Sequence, residues 1–219
     1  MAATAFILAA GLGTRLRPLT LRTPKPLLPV HGRAMLDIVL DHVRQHGHRE
    51  VVVNAFWLPD QIVDWARGRA GVTVVVEAPT ILGTGGGLRN ARHLLADRFV
   101  VVNGDILSDV DLGALFDENA PAVMALREQA APVHTGVSLD AGVVRGIAGV
   151  VGTGDPGLHF TGIHVLDQAV LDLVPLQGEA CIVRTAYQSL IPEGKVRGRV
   201  HQGSWVDIGT LDEYARVGA

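Results

Sequence analysis

One cysteine, Cys181, stands in a chain of 219 residues. It has no partner for an internal disulfide, so a reducing cytoplasm is the natural compartment and Cys181 is expected to be buried and inert. The nine histidines show no metal-like spacing, and no Cys/His cluster is spaced for zinc. The amino terminus lacks a basic leader. "FILAA" is too short, and too soon followed by Gly and Arg, to be a signal peptide or a membrane span. The formal charge of −3 excludes a broad nucleic-acid or acidic-membrane surface, although Arg15, Arg17, Arg22 and Lys25 gather positive charge at one end. No repeat, low-complexity tract or Pro/Ser-rich linker marks a boundary, so residues 1–219 read as one domain.

What is present is apolar and glycine-rich: 48% hydrophobic residues, 19% charged, and 26 glycines without a collagen-like period. A chain of this length builds a full core. Short runs such as "TAFIL" (4–8), "EVVVN" (50–54), "VTVVV" (72–76) and "FVVVN" (99–103) alternate with the amphipathic segments 34–47, 58–68 and 86–96. Val and Ile runs without polar alternation belong to strands covered on both faces, which predicts a doubly wound α/β domain with a mostly parallel sheet. In the first helix Met35, Ile38, Val39, His42 and Val43 share a face, and Gly47 caps its end. After Asp105 the pieces 122–128, 135–147 and 159–166 read as strands, with "DAG" (140–142) as a hairpin turn. This half reads as antiparallel.

In a parallel sheet, ligands sit beyond the carboxyl ends of the strands, and "AFIL" delivers "AAGLGTR" to that edge. Such glycines let the backbone approach a ligand and turn N–H groups toward an anion, with Arg15 and Lys25 adding charge. Prolines on both sides of Lys25 stiffen its segment. The loop fits neither GxGxxG nor GxxxxGK[ST]. On these residues alone it is either an anion site or a glycine turn with solvated arginines. Asp105 and Asp207 each follow an apolar run; singly, such a residue is as well a helix cap or a turn.

"LAAGLGTRLRPLTLRTPKPLLPV" (8–30) closely resembles the amino-terminal signature of sugar-1-phosphate nucleotidyltransferases. Matches to 51–62, "LGTGGGL" (82–88), "VVVNGDIL" (100–107), "FTGIHVL" (160–166) and "GSWVDIGTLDEY" (203–214) follow in order, so the resemblance covers essentially the whole chain. It implies a Rossmann-like domain with a small antiparallel sugar-binding portion and no carboxy-terminal β-helix. It implies transfer of a nucleotide from a nucleoside triphosphate to a sugar 1-phosphate, with pyrophosphate released. Catalysis is then mostly positioning and neutralisation of charge. Arg15 and Lys25 would grip the triphosphate, and Asp105 and Asp207 would bind Mg²⁺, which accepts few protein ligands. Ala10, Gly11, Gly13 and Thr14, with Gly83, Thr84 and Gly85, are the expected nucleotide contacts. Asn103, Gly136, Thr161 and Gly162 are the expected sugar contacts.

Many members carry an E-K pair before the FTG-like segment and an Asn at the position of Phe160; neither is present here. Thr161 is then expected to supply the missing hydrogen bonds, and the metal and Arg15 to neutralise the sugar phosphate. Short uridylyltransferases acting on N-acetylmuramate 1-phosphate resemble this chain in both features, whereas "LGTGGGL" also resembles guanylyltransferases acting on mannose or heptose 1-phosphate. Glu77 is a candidate reader of guanine, because one carboxylate accepts both its N1–H and its N2–H₂. Trp57, Trp65 and Trp205 read as packing residues, with Trp205 able to border the pocket. Rival readings are a non-catalytic nucleotide-sugar-binding regulator and a dehydrogenase, the latter disfavoured by the missing GxGxxG. A monomer or small homo-oligomer, without nucleic-acid or membrane partners, is expected.

Overall fold

The structure, a computed structural model, describes residues 4–129, 134–155 and 157–218. The described strands are β1 (Thr4–Leu8), β2 (Pro29–Val30), β3 (Arg33–Ala34), β4 (Glu50–Ala55), β5 (Val72–Val76), β6 (Arg98–Asn103), β7 (Ile106–Ser108), β8 (Ala122–Glu128), β9 (Val137–Asp140), β10 (Val143–Ile147), β11 (Leu158–Asp167), β12 (Val196–His201) and β13 (Trp205–Asp207). The helices are α1 (Met35–Gln45), α2 (Pro59–Ala66), α3 (Gly83–Asn90), α4 (Leu112–Phe116), α5 (Gln188–Leu190) and α6 (Leu211–Arg216). Nine strands form one sheet in the order β5-β4-β1-β6-β11-β8-β12-β10-β9. From β5 to β6 every pairing is parallel. Of the nine, only β11 and β10 run against the rest. The mostly parallel α/β architecture read from the sequence is therefore present, with its antiparallel pairings confined to the later strands.

Uniformly apolar strands still alternate, because successive side chains leave opposite faces. Phe6, Val52, Phe99, Val101 and Met124 enter one core, against Leu88 of α3 and the segment around Tyr187. Ala5, Ile7, Val51, Val53, Val100 and Val102 enter the other, against α1, α2 and α4. Helix α1 buries Leu36 and Leu40 besides Met35, Val39 and Val43, while Ile38 and His42 lie at the edge of the stripe. A third, small cluster joins Leu16 and Leu28 of the first loop to Ile208 and to Tyr214 of α6. Tyr214 donates a 2.7 Å hydrogen bond to the Pro29 carbonyl. That cluster draws the last turn of the chain onto the first loop.

Three local features bear on the sequence reading. The hairpin at 140–142 forms as expected, with Ala141 and Gly142 both at positive φ. Strand β12, unannounced by any clean alternation in "VRGRVH", inserts between β8 and β10. Helix α3 begins at Gly83, so the glycines of "LGTGGGL" lie inside it rather than ahead of it, and a 3₁₀ turn at Arg92–Leu94 replaces its expected continuation. Gly costs about 1 kcal/mol per helical position relative to Ala. Contact supplies the compensation: Gly85 and Gly86 both donate to the Ala180 carbonyl, and a Cβ at either would press on the backbone of 178–182. Among the described residues no helix is long and apolar enough to cross a membrane.

Candidate active site

The parallel strands β1, β4 and β6 end side by side, and their carboxyl ends frame a cleft of about 190 Å³. Leu8, Ala10 and Gly11 line one side, Gly83 and Thr84 another, and Asn103 and Asp105 the floor toward β6. Gly104 carries Asp105 across the strand end, its N–H bonded to the Leu8 carbonyl at 2.8 Å. Gly13 turns the loop in the left-handed region, φ 61°, where a Cβ would lie 2.8 Å from Thr20 Cγ2 and 3.1 Å from Lys25 Cβ. The Thr20 hydroxyl donates to the Gly13 carbonyl at 2.7 Å. This close packing buries Lys25, and its ammonium pairs with Asp105.

Asp207 arrives from the opposite end of the chain. Strands β7 and β13 pair antiparallel with Asp207 opposite Ile106, and the Ile208 N–H donates to the Asp105 carbonyl at 3.1 Å. Burial raises the Asp207 carboxyl, and the neighbouring charge of Asp105 raises it further against the pull of Lys25. Arg15 is exposed and lies over Gly209, where a Cβ would be 3.0 Å from its guanidinium. Its charge reaches both Asp207 and Glu213. Glu213 in turn closes a capping box on α6, accepting from the Gly209 N–H and the Thr210 hydroxyl at 2.9 Å each. Arg15, Lys25, Asp105 and Asp207 thus gather at one sheet edge.

Two carboxylates beside one ammonium form a hard, oxygen-only donor set. Among the described residues no group of three or more His, Cys, Asp or Glu side chains is arranged to hold a metal by itself. The arrangement suits a cation that completes its shell with water and phosphate oxygens rather than one that needs a full protein cage.

Glu77 occupies a different place from a base reader. It is 3% exposed and does not line the cleft. One carboxylate oxygen accepts from Asn54 Nδ2 and the other from the Leu82 N–H, both at 2.7 Å, while Asn54 Oδ1 accepts from the Ala9 N–H at 2.7 Å. Burial pushes the Glu77 carboxyl up; those hydrogen bonds oppose the shift. The chain Glu77–Asn54–Ala9 therefore braces the two loops against each other. Gly85 also faces away from the cleft, onto Ala180–Ile182. Thr84 remains on the cleft and accepts from the Ile182 N–H at 3.0 Å.

A second chamber of about 180 Å³ lies beyond Asn103, with Thr161, Gly162, Trp205 and Asp207 in its wall. Strand β11 slips register between Phe160 and His164, and Gly162 sits in the slip at φ 81°; a Cβ there would be 2.5 Å from Asn103 Nδ2. The Thr161 hydroxyl donates to the Ala125 carbonyl at 2.8 Å, so the proton expected to replace lost sugar contacts is engaged within the sheet. Gly136 is buried, its bridge partner His159 and the Asp155 carbonyl closing over it, and it does not reach this chamber. Cys181 is half-buried and lines the chamber, contrary to the expectation of burial. Trp205 borders it, donating from Nε1 to the Thr161 carbonyl at 3.0 Å.

Three histidines in or behind this wall carried no sequence signal. His134 stacks on buried His159, ring centroids 4.7 Å apart, and both meet Trp205 edge-on. His164 hydrogen-bonds through Nδ1 to the buried Tyr187 hydroxyl, and burial lowers its pKa to about 3. No spacing in the chain could have announced these contacts, since each joins segments far apart in the sequence.

Residues 5–159 match the MobA-like NTP transferase domain. The chain belongs to the sugar-1-phosphate nucleotidyltransferases of that family. It is 34% identical to the N-acetylmuramate alpha-1-phosphate uridylyltransferase of Neisseria meningitidis serogroup B, over 94% of this chain and 93% of that protein. It is 33% identical to the mannose-1-phosphate guanylyltransferase of Mycobacterium tuberculosis, over 98% of this chain but 63% of that longer protein. The fold is shared with HddC from Yersinia pseudotuberculosis complexed with GMP-PN, at a TM-score of 0.79, 22% identity and coverage of 99% and 98%. It is shared also with the inositol-1-phosphate CTP transferase from T. maritima, at a TM-score of 0.83, 16% identity and coverage of 99% and 95%. Members of this family take a nucleoside triphosphate and a sugar 1-phosphate, and the family is generally dependent on a divalent metal.

Proposed function

We propose that this nucleotidyltransferase joins UTP to N-acetylmuramate 1-phosphate, giving the UDP-sugar and pyrophosphate in a reducing cytoplasm. The observation that carries the reading is the convergence of Lys25, Asp105 and Asp207 where the glycine loop meets the ends of β1 and β6. Phosphates of two anionic reactants need charge balance there more than they need a nucleophile. A sugar phosphate oxygen forms the new bond to the α-phosphorus while the bond to the departing pyrophosphate breaks. The attacking group is already ionised, so no general base is required. Lys25 acts as a point charge on the triphosphate, and Arg15 supplies a fork able to hold two oxygens. Asp105 and Asp207 would hold Mg²⁺, which neutralises phosphate oxygens when bound.

Uridine is supported by the position of Glu77. With both of its oxygens engaged by Asn54 and Leu82, this segment presents no carboxylate for the paired donors of guanine, whereas uracil offers one N3–H between two carbonyls and suits backbone groups. The whole-length likeness to the neisserial uridylyltransferase supports the same choice. A guanylyltransferase acting on mannose or heptose 1-phosphate is the second reading, favoured by "LGTGGGL" and by the mycobacterial relative. Pyrophosphate release with each nucleoside triphosphate against a panel of sugar 1-phosphates tests both. UTP with N-acetylmuramate 1-phosphate is expected to give the highest kcat/KM. A preference for GTP with mannose or heptose 1-phosphate would overturn the uridylyl reading, and binding without release in every combination would indicate a non-catalytic sensor.

A further inference from the structure

The chamber beside Asp207 is too small for its task. At about 180 Å³ it falls below the ~300–1,000 Å³ of ordinary small-molecule pockets. It shares His134, Phe160, Cys181 and Val183 with an outer chamber of about 340 Å³, which extends it into that range. The outer walls are apolar, from Val137, Ile147, Ala148 and Val150, and Arg184 closes them with its charge. No acidic side chain lines this chamber among the described residues. The Arg184 guanidinium has neither an ion pair nor a hydrogen bond among them, unlike Arg89 and Arg92, which share Asp172. It also sits in a π-helical turn, Val183–Tyr187, a wide turn that re-aims side chains and recurs at functional sites.

We propose that the outer chamber receives a carboxylate-bearing substituent of the sugar and that Arg184 is the specificity-determining residue that reads it. The inference rests on the N-acetylmuramate 1-phosphate reading and adds the chamber and the side chain that recognise its carboxylate. Apolar walls suit a short aliphatic stem, and the planar fork of an arginine matches a carboxylate with two parallel hydrogen bonds. A hydroxyl would leave the guanidinium without its counter-charge. A second phosphate would call for more positive charge than one arginine and one histidine provide.

The test compares N-acetylmuramate 1-phosphate, which carries a carboxylate on its ether substituent, with N-acetylglucosamine 1-phosphate, which carries a hydroxyl in that place. Wild type, Arg184→Gln and Arg184→Lys are assayed for kcat and KM, with thermal melts to check folding. Wild type is expected to prefer the acidic sugar. Arg184→Gln should lose about 10- to 100-fold of that preference through KM, with kcat and the use of the neutral sugar retained. Arg184→Lys should fall between, since a point charge attracts the carboxylate without the paired geometry. An unchanged preference in Arg184→Gln, or a wild type that prefers the neutral sugar, would overturn the inference while leaving the nucleotidyltransferase reading intact. Calorimetric titration with both sugars separates the two failures. If neither sugar turns over, acid binding that weakens in Arg184→Gln still supports the chamber's role, and equal binding rejects it.

Discussion

The two sides of the cleft are built by opposite means. The side under β1, β4 and β6 is made of parallel strand ends and backbone turns, and its polar side chains are tied down: Lys25 to Asp105, Glu77 to Asn54, and Asn54 to the Ala9 backbone N–H. The side under β11 and β13 is made of side chains from antiparallel strands, with a register slip, stacked histidines and a tryptophan. The first design fixes backbone groups against a ligand part common to all nucleotides. The second presents shape and individual side chains, which differ from one sugar to another. On the proposed function, charge neutralisation falls to the first side together with Asp207 of β13, and selectivity for the sugar to the rest of the second.

The comparison breaks most sharply at Lys25. Lys25→Ala is expected to lower kcat by about 10²- to 10³-fold, the cost of losing one fixed charge aimed at the reacting phosphate. The melting temperature should change far less, because the aspartate left behind is partly exposed. Steady-state kinetics with the preferred substrates, read beside a thermal melt, checks both. A variant with near-normal kcat would remove Lys25 from the machinery and make the ion pair with Asp105 a purely structural one.

On the sugar side the corresponding lesion is Gly162→Ala. The residue's φ of 81° strains any other side chain by about 1–3 kcal/mol, and the new Cβ would lie 2.5 Å from Asn103 Nδ2. Asn103 must move, so KM for the sugar phosphate should rise several-fold while KM for the triphosphate holds. Equal increases in both constants would show that Asn103 serves the two chambers alike and would blur the division.

Glu77→Gln sharpens the comparison from the nucleotide side. Glutamine keeps one acceptor and offers an amide where the Leu82 or Asn54 N–H needs a partner. A loss of about 1–3 kcal/mol of stability is expected from the unmatched donor, measured by urea denaturation. The ratio of UTP to GTP use should stay as in wild type. A collapse of GTP use in this variant would return Glu77 to the base and overturn the bracing role.

The sequence made the parallel half legible because its signals are local: a Val/Ile run names a buried strand, and the long glycine and Pro-Lys-Pro signature names its loop. Lys25, Asp105 and Asp207 were singled out by the motifs of the resemblance, and the structure brings the three together. Glu77 read as a candidate for the base because a carboxylate just after a strand gives no sign of its partner until the 23-residue separation to Asn54 closes. Gly85 misled because a glycine triplet signals close approach without saying to what; here the partner is Ala180. On the sugar side Asn103, Thr161, Gly162 and Trp205 were legible and line the chamber, whereas His134, His159, His164 and Arg184 were not, because their surroundings come from segments that meet only in the fold.

The smallest expected effect is a difference in sign between the sides when pH changes. Burial lowers His159 to about 4 and His164 to about 3, from an ordinary 6.5. Below pH 6.5 the unfolded chain takes up these protons first, so the histidines' contribution, full above 6.5, is lost as pH falls toward 4. Glu77 runs the other way: its raised carboxyl holds its proton longer in the folded chain, so its contribution is full below 4.5 and declines as pH rises through the folded value. Urea unfolding at pH 5, 6 and 7 should show wild type losing stability toward pH 5. His159→Gln should flatten that slope by up to about 1.4 kcal/mol per pH unit, one proton's worth. Glu77→Gln, by removing the opposing group, should steepen it. If His159→Gln leaves the slope unchanged, the ring is not held neutral by its burial beneath His134 and Trp205. If Glu77→Gln flattens it, the carboxyl is ionised in the folded state at lower pH than its burial dictates.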